Sequence, residues 1–244
     1  WGFGYGIIIL MMALLIKIAL FPFTYKSYTS MAKMRVLKPQ VDAINEKYED
    51  KMKRQQEMMA LYKETGVSPL GGCIPMLFQM PILFALFRFF PSSIELRQQS
   101  FLWANDLSTY DSILDLGFSI PFYGDHVSLF TLLMTATTVL QMKYSTSMSA
   151  SNSQMPQMKY MMYFMPVIFL GVMNNYAAAL SYYYFLANLI TFAQQKIIAG
   201  MTDDSSLLAK MEENKQKAPK KGKSKFQTRL ENMMKEQQEA KNKK

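Results

Sequence analysis

The chain has 244 residues, a net charge of +9, a mean hydropathy close to zero and one cysteine, Cys73. A lone cysteine excludes a disulfide framework. The mean hydropathy alone would suit a soluble domain, but residues 1–40, 71–94 and 127–201 contain no acidic residue, whereas acids recur throughout ordinary soluble domains. Apolar runs near the bilayer-spanning length of about 18–20 residues lie in these stretches, so a soluble globular domain is excluded.

Five apolar segments predict an all-α polytopic membrane protein with a five-helix core. The predicted spans cover residues 4–23, 71–90, 127–144, 160–173 and 176–199. Only Asn174 and Asn175 separate the last two spans, which predicts a tight helical turn. The fourth span has about 14 residues, or roughly 21 Å of helix, against a hydrocarbon core of about 30 Å. We therefore expect either a helix longer than its apolar run or a locally thinned bilayer.

The charges between the spans predict their orientation. Residues 24–70 carry 9 basic and 6 acidic residues, and the chain from Lys196 onward carries 13 basic and 7 acidic residues. Residues 91–126, in contrast, carry 1 basic and 5 acidic residues. Because Lys and Arg mark cytoplasmic loops, loop 91–126 is predicted to be external and the C-terminus cytoplasmic. This distribution favours a membrane topology over DNA binding. Five crossings place the N-terminus outside, which predicts further sequence upstream of Trp1.

Residues 26–65 are predicted to form a cytoplasmic helical hairpin with its turn at Glu49 and Asp50. Apolar residues at helical spacing predict its seam: Leu37, Val41, Ile44 and Tyr48 on the first helix, and Met52, Met59 and Tyr62 on the second. The hairpin is either a solvated connector or a mobile contact arm, since seams this short bury little apolar area.

Residues 1–200 form the predicted membrane core, and residues 201–244 form a basic tail. Six lysines between Lys215 and Lys225 predict that the tail is partly disordered. Such a tail is either a solvated extension or a contact for ribosomal RNA or anionic lipid.

Lys17 is the first candidate site residue because it is a cation inside a predicted span. Burying an ionisable group in hydrocarbon costs at least about 2.5–3.5 kcal/mol, so such a group indicates a functional site. Snorkelling of the side chain to the headgroups is the alternative. No Asp or Glu lies in any span, and an internal cation without an internal counter-ion suits a transient acidic guest.

A polar stripe on the last span is the second candidate. Tyr184, Asn188, Thr191 and Gln195 recur at spacings of 4, 3 and 4, which places them on one helix face. Together with Gln79 and Thr138 they could line a wet site, or they could join helices by hydrogen bonds.

Enzymatic chemistry is not predicted. His126 is the only histidine, so a Ser-His pair or a histidine metal cluster is not available within the spans. No phosphate-binding glycine loop is present. We expect no cofactor and no metal.

Four motifs in register resemble the YidC/Oxa/Alb family of membrane insertases. They are YTSMAKMR at residues 28–35, PLGGCIP at 69–75 followed by QMP at 79–81, FMPVIF at 164–169, and NLITFAQQ at 188–195. The resemblance covers about residues 1–200. It implies an insertase of the bacterial inner membrane that inserts and helps to fold nascent membrane proteins, alone or with the Sec translocon.

The resemblance also implies a hydrophilic groove, open to the cytoplasm and to lipid, with a cation at its centre. That position falls on Lys17, where bacterial relatives usually carry Arg, and Tyr184 matches the groove tyrosine of the family. The helical hairpin resembles the segment that contacts signal-recognition targeting components and the translocon, and the tail resembles a ribosome-binding extension. The basic hairpin residues expected to make these partner contacts are Lys33, Arg35, Lys51, Lys53 and Arg54.

Two alternatives to an insertase stay open on the sequence. A small-solute channel or transporter could use the same polar stripe, although the spans lack the carboxylate that ion-coupled transport usually needs. An assembly factor for membrane complexes without insertion activity is the other alternative.

Overall fold

The computed structural model describes residues 4–68, 74–147 and 156–217, and these are mainly helical. The α-helices in these ranges are α1 (Tyr5–Ala19), α2 (Phe21–Val36), α3 (Lys38–Lys47), α4 (Lys51–Glu64), α5 (Ile74–Ser92), α6 (Leu129–Ser147), α7 (Pro156–Asn174), α8 (Ala178–Met201) and α9 (Asp204–Lys217). The helical fold predicted from the sequence is thus confirmed at the level of fold class.

The loop between α5 and α6 contains a β-hairpin that the sequence analysis missed. After a short 3-10 helix (Ile94–Leu96), strand β1 (Leu114–Ile120) pairs antiparallel with β2 (Gly124–Val127). The register shifts within β1, where Gly117 has a φ of 72° that favours glycine. We refer to residues 114–127 as the β-hairpin.

The first predicted span is not one straight helix. It was expected to run to residue 23, but α1 ends at Ala19 and the chain bends by 61° into α2. Pro22 lies in the first turn of α2, where its missing N–H breaks no intrahelical hydrogen bond. Lys17 consequently lies in the last turn of α1, and the predicted distance from Lys17 to the helix end was too long.

The other four predicted spans correspond to α5, α6, α7 and α8, each with shifted ends. The helix at the fourth span extends from Pro156 to Asn174, roughly 28 Å at 1.5 Å per residue, so the short-helix basis for bilayer thinning was wrong. By length and hydropathy, no single helix in the described part of the chain qualifies as a membrane span, and α1 with α2 qualifies only as a bent pair. The five crossings therefore stay a prediction.

Helix α8 is the centre of the fold. Its first ten residues are nearly all buried against Ile9 and Ala13 of α1, Phe90 of α5 and Phe130 of α6. The small side chains at the start of α8 let the loop between α5 and α6 approach closely, and the backbone N–H groups of Ala178 and Ala179 donate to the carbonyls of Thr109 and Leu107. The otherwise unsatisfied donors at the helix start are thereby paired.

A buried polar network closes the same end of the bundle. The Asp111 carboxylate accepts from the backbone N–H groups of Leu129 and Phe130 at 2.9 and 3.1 Å, and from the Trp103 indole at 2.8 Å. The Ser128 hydroxyl donates to Asp111 and lies 2.8 Å from the hydroxyl of Thr131, which in turn lies 3.0 Å from that of Ser181. These bonds fix the start of α6 against the loop and α8.

The helical hairpin packs into a second apolar cluster, which we call the hairpin core. Its buried members come from α2 (Tyr28, Met31, Met34), from the start and body of α3 (Leu37, Val41), from α4 and the residues after it (Met58, Leu61, Tyr62, Val67), and from Ile198 of α8 and Met211 of α9. The predicted seam is therefore correct at Leu37, Val41 and Tyr62. It is wrong at Met52 and Met59, which are exposed, because Met58 and not Met59 faces the core.

Helix α9 was not expected from the sequence. It packs on α2 through the buried side chains of Leu207 and Met211, and Asp204 at its start forms a 2.6 Å ion pair with Arg35. The first part of the predicted tail is thus helical up to Lys217, and residues 218–244 lie outside the described residues.

Candidate functional site

A cavity of about 360 Å³ lies among α1, α2, α5, α6 and α8, and its lining combines polar groups with apolar side chains such as Leu20, Phe23 and Phe78. All six predicted groove residues line it: Lys17, Gln79, Thr138, Tyr184, Asn188 and Gln195. They come from four helices and from positions up to 178 residues apart, counted from Lys17 to Gln195. That substrate contacts these residues stays a prediction.

The α8 stripe faces this cavity along its whole length. Tyr184, Asn188, Thr191 and Gln195 all contribute to the lining, as their helical spacing predicted. The N-terminal part of α8 is buried in the apolar core around Tyr183 and Ala187. The cavity therefore begins where the α8 packing changes from apolar to polar side chains.

Hydrogen bonds hold most of the polar lining in place. The Asn188 amide donates to the Thr138 hydroxyl at 2.8 Å, and Thr138 donates in turn to the carbonyl of Met134 at 2.7 Å. The Gln195 amide donates to the Tyr28 hydroxyl. Gln79 lies beside the Tyr184 hydroxyl. The amides and hydroxyls thus bind α6 and α2 to α8, as the hydrogen-bonding interpretation of the stripe predicted. That the stripe lines a wet site stays a prediction.

Lys17 is the lining residue whose charge these contacts leave uncompensated. Its backbone carbonyl accepts from Gln194 at 3.3 Å, which ties the end of α1 to α8. No carboxylate within the described ranges forms a salt bridge with Lys17; the ion pairs found there are Arg35–Asp204 and Asp125–His126. A cation in the last turn of a helix is favoured by the helix dipole. The site can therefore keep a positive charge available to an anionic group.

Three polar residues of the cavity were not predicted from the sequence: Thr24, Tyr28 and Ser145. Each lies just beyond the end of a predicted span. A signal was present for two of them, because Thr24 and Tyr28 are four residues apart and therefore share one face of α2.

The basic residues predicted to form partner contacts on the helical hairpin are not equivalent. Arg35 is committed to the ion pair with Asp204, and Arg54 donates to the carbonyls of Tyr48 and Glu49 at 3.1 and 3.3 Å. Arg54 thus stabilises the α3–α4 turn. Lys53 is exposed and Lys33 borders a small surface cavity. The side chain of Lys51 lies outside the described residues.

The cavity chemistry suits binding rather than bond making. Its lining offers one ammonium group, amides and hydroxyls, without a carboxylate or histidine to act as a base. No group of three or more potential metal ligands occurs in the part of the chain that the structure describes. His126 lies elsewhere, stacked on Tyr110 and bonded to the carbonyl of Asn174 at 2.9 Å.

Comparison with known proteins identifies the class. The family model described as 60Kd inner membrane protein matches residues 1–205, and the chain belongs to this family of bacterial inner-membrane proteins.

Its relatives include membrane protein insertases YidC. The chain is 52% identical to that of Bacteroides fragilis over 98% of its length and 40% of the relative. It is 54% identical to that of Parabacteroides distasonis, covering 97% of this chain and 38% of the relative. The chain thus spans about two fifths of the length of these relatives.

A solved structure supports the same relationship. The crystal structure of an active YidC insertase with its first transmembrane domain resolved matches with a TM-score of 0.55 and 28% identity. The match covers 78% of this chain and 40% of that protein. The fold of the matched part of the chain is therefore similar to that of a YidC insertase.

Proposed function

We propose that this chain is the membrane-embedded core of an insertase that moves nascent membrane proteins into the bacterial inner membrane. The observation that carries the proposal is the position of Lys17, a cation without a carboxylate partner among the described residues, in a cavity to which five helices contribute polar groups. The kinship with YidC insertases supports it. Helices α1 with α2, α5, α6, α7 and α8 are the proposed five crossings.

The proposed mechanism uses binding and solvation without covalent chemistry. Water and the amides of the cavity shorten the apolar barrier for a polar substrate segment, and Lys17 attracts its acidic residues. The apolar segment of the substrate then moves into lipid, driven by burial of apolar surface at about 25 cal/mol per Å². The interaction with Lys17 must be weak, because a tightly held segment would not leave.

The orientation and the partners belong to the same proposal. The N-terminus of this chain lies outside and α9 lies in the cytoplasm, as the positive-inside rule predicts. The helical hairpin, with Lys33 and Lys53 available, contacts targeting components and the Sec translocon. The basic residues after Lys217 contact the ribosome, and anionic lipid is the competing partner for them.

Reconstitution tests the proposal. The full-length protein is placed in liposomes, and a small single-span substrate with an acidic external segment is synthesised in their presence. We expect protease protection of that segment above the level of protein-free liposomes. Equal protection in both would contradict insertase activity, and release of a trapped small solute without any nascent chain would support the channel alternative instead.

A further inference from the structure

The β-hairpin carries large apolar side chains that the described part of the chain leaves uncovered. Phe122 in its turn is 95% exposed and Phe118 is 63% exposed, and Leu114 and Ile120 are exposed as well. Isolated exposed apolar residues are common, but a contiguous patch marks a surface that contacts another apolar phase or partner. These four residues, which we call the apolar patch, lie within one 14-residue hairpin.

The hairpin is held rigidly at the C-terminal end of α7. The Asn174 amide donates to the carbonyls of Tyr123 and His126 at 3.0 and 2.8 Å, and the Asn175 amide donates to that of Tyr123 at 2.8 Å. A methyl group added at Gly171 would lie 2.9 Å from the Phe122 carbonyl oxygen. The turn therefore packs on the helix backbone, and the exposed rings keep a fixed position beside it.

The apolar patch continues an apolar surface of α7. The described part of α7 exposes large apolar side chains along its length: Phe164, Met165, Val167, Ile168 and Val172. The Phe122 backbone contacts this helix at Gly171, next to Val172. Neighbouring apolar side chains on the β-hairpin and on α7 face the same environment, and the proposed environment of α7 is the lipid bilayer.

We propose that the β-hairpin is a lipid anchor, whose Phe118 and Phe122 side chains insert into the interfacial zone of the external leaflet beside α7. The depth follows from the backbone. A two-stranded ribbon leaves edge N–H and C=O groups unpaired, which excludes it from the hydrocarbon core but not from the hydrated interface. Exposed Asp115 and Asp125 also keep the strands at headgroup level.

The charge of the β-hairpin indicates which interaction holds it at the membrane. Residues 114–127 contain no Lys or Arg and two Asp, so anionic headgroups offer no electrostatic gain. The anchor binds by apolar burial, and its depth should not depend on the fraction of anionic lipid. The inference rests on the proposed membrane embedding of α7 and not on insertion activity.

Site-directed spin labelling tests the anchor. In a cysteine-free version of the full-length protein that includes Cys73→Ala, a nitroxide is attached to Phe122→Cys and the protein is reconstituted into phosphatidylethanolamine vesicles with or without phosphatidylglycerol. Replacing Phe122 removes little packing because the side chain is almost fully exposed. We expect oxygen to relax the label more strongly than a water-soluble nickel chelate, equally in both lipid mixtures.

Two further labels make the outcomes distinguishable. Leu15→Cys on α1, where Leu15 is 64% exposed, is the lipid reference, and Asn105→Cys, at an exposed polar residue of the same loop, is the water reference. The anchor would be overturned if the label at Phe122 behaves like the label at Asn105 while the label at Leu15 still reports lipid. It would also be overturned if another part of the full-length protein shields the Phe122 label from both reagents. Nickel access at Leu15 would overturn the embedding and the anchor together.

Discussion

Lys17 connects a local feature of α1 with the proposed activity. Its ammonium group lies at the C-terminal end of a helix, where a cation is stabilised, and it lines a cavity in which the amides of Asn188 and Gln195 donate to the hydroxyls of Thr138 and Tyr28. Charge at this residue is therefore available for a guest, whereas the neighbouring polar groups mainly keep the helices together.

Lys17→Arg should retain insertion, and Lys17→Glu should lose it. A carboxylate in the cavity would repel an acidic substrate segment, and we expect insertion to fall by roughly tenfold, the equivalent of about 1.4 kcal/mol. Protease protection of several single-span substrates measures the effect. Lys210→Glu, the same charge change on the exposed surface of α9, is the control, and normal insertion by Lys17→Glu would contradict the role of the charge.

Asp111→Ala should destabilise the fold. The substitution removes the acceptor for two N–H groups at the start of α6 and for the Trp103 indole. Because a helix cap and buried donors lose their partner, the free energy of unfolding should fall by about 2–4 kcal/mol. In detergent the thermal midpoint should fall by roughly 5–15 °C. Asp115→Ala, on an exposed strand position, should leave the midpoint unchanged, and an equal fall in both variants would refute the network's contribution.

At the level of elements, the helical hairpin is part of the fold rather than a free arm. The hairpin core joins α3 and α4 to α2, α8 and α9. Deletion of residues 36–62 would expose Tyr28, Met31 and Ile198, so the expectation that the hairpin packs mainly on itself is wrong. Its role in partner contact stays a prediction for the side chains that face outward.

Met58→Ala and Met59→Ala form a matched pair that tests the hairpin core. Met58 is 3% exposed and Met59 is 42% exposed. Truncating the buried Met58 side chain should lower the free energy of unfolding by about 2–5 kcal/mol. Truncating the exposed Met59 side chain should change it by no more than about 0.5 kcal/mol. Faster tryptic cleavage after Lys53 in Met58→Ala alone would report local opening, and similar rates for the two variants would contradict the assigned packing.

The start of α9 should depend on pH through Asp203. The side-chain hydrogen bond from Ser205, followed by that from the Ser205 backbone N–H, lowers the pKa of Asp203 below its usual 3.8. Because the folded-state pKa is lowered, the stabilisation is complete above pH 3.8 and is lost as the pH falls through the lowered value. NMR titration of α9 amides should show fraying there, and Asp203→Asn, which keeps a capping acceptor, should remove the pH dependence.

At the scale of the whole molecule, the cavity and the polar network divide the bundle into an accessible end and a closed end. The cavity extends to Ser145 and Met31, next to the hairpin core. Ser128, Thr131 and Ser181 are buried at the opposite end. Water should therefore reach the cavity from the side of the helical hairpin.

Thiol labelling of reconstituted protein measures this access. In the Cys73→Ala background, Thr138→Cys should react with a membrane-impermeant maleimide added on the side of the helical hairpin, because Thr138 lines the cavity. Ser181→Cys, fully buried in the network, should react from neither side. Reaction of Thr138→Cys only from the side of the β-hairpin would contradict the proposed direction of opening.

Helical periodicity was sufficient to predict the cavity face of α8, because four polar residues at spacings of 4, 3 and 4 can face only one side. Lys17 was identified from composition, because a charged residue is conspicuous in an apolar span without acidic residues. Periodicity could not choose between Met58 and Met59, since adjacent residues of one type fit two helix phases equally.

The features that the sequence did not predict depend on distant partners. Asp111 is bonded to Trp103 on one side and to α6 on the other, and no local pattern distinguishes it from a solvated loop acid. The bend after Ala19 interrupts an apolar run, and the local signal for it is Pro22 in the first turn of α2. Helix α9 is only weakly apolar, and its burial depends on a surface of α2 more than 160 residues earlier, as the Arg35–Asp204 separation of 169 shows.

That separation has a consequence for biosynthesis. Helices α2, α3 and α4 emerge from the ribosome well before α8 and α9, yet Ile198 and Met211 complete their core. Contacts so distant along the chain close late and slowly. Until then Met31, Met34 and Met58 of the hairpin core lack these late partners, and the exposed apolar surface makes the nascent chain prone to aggregation.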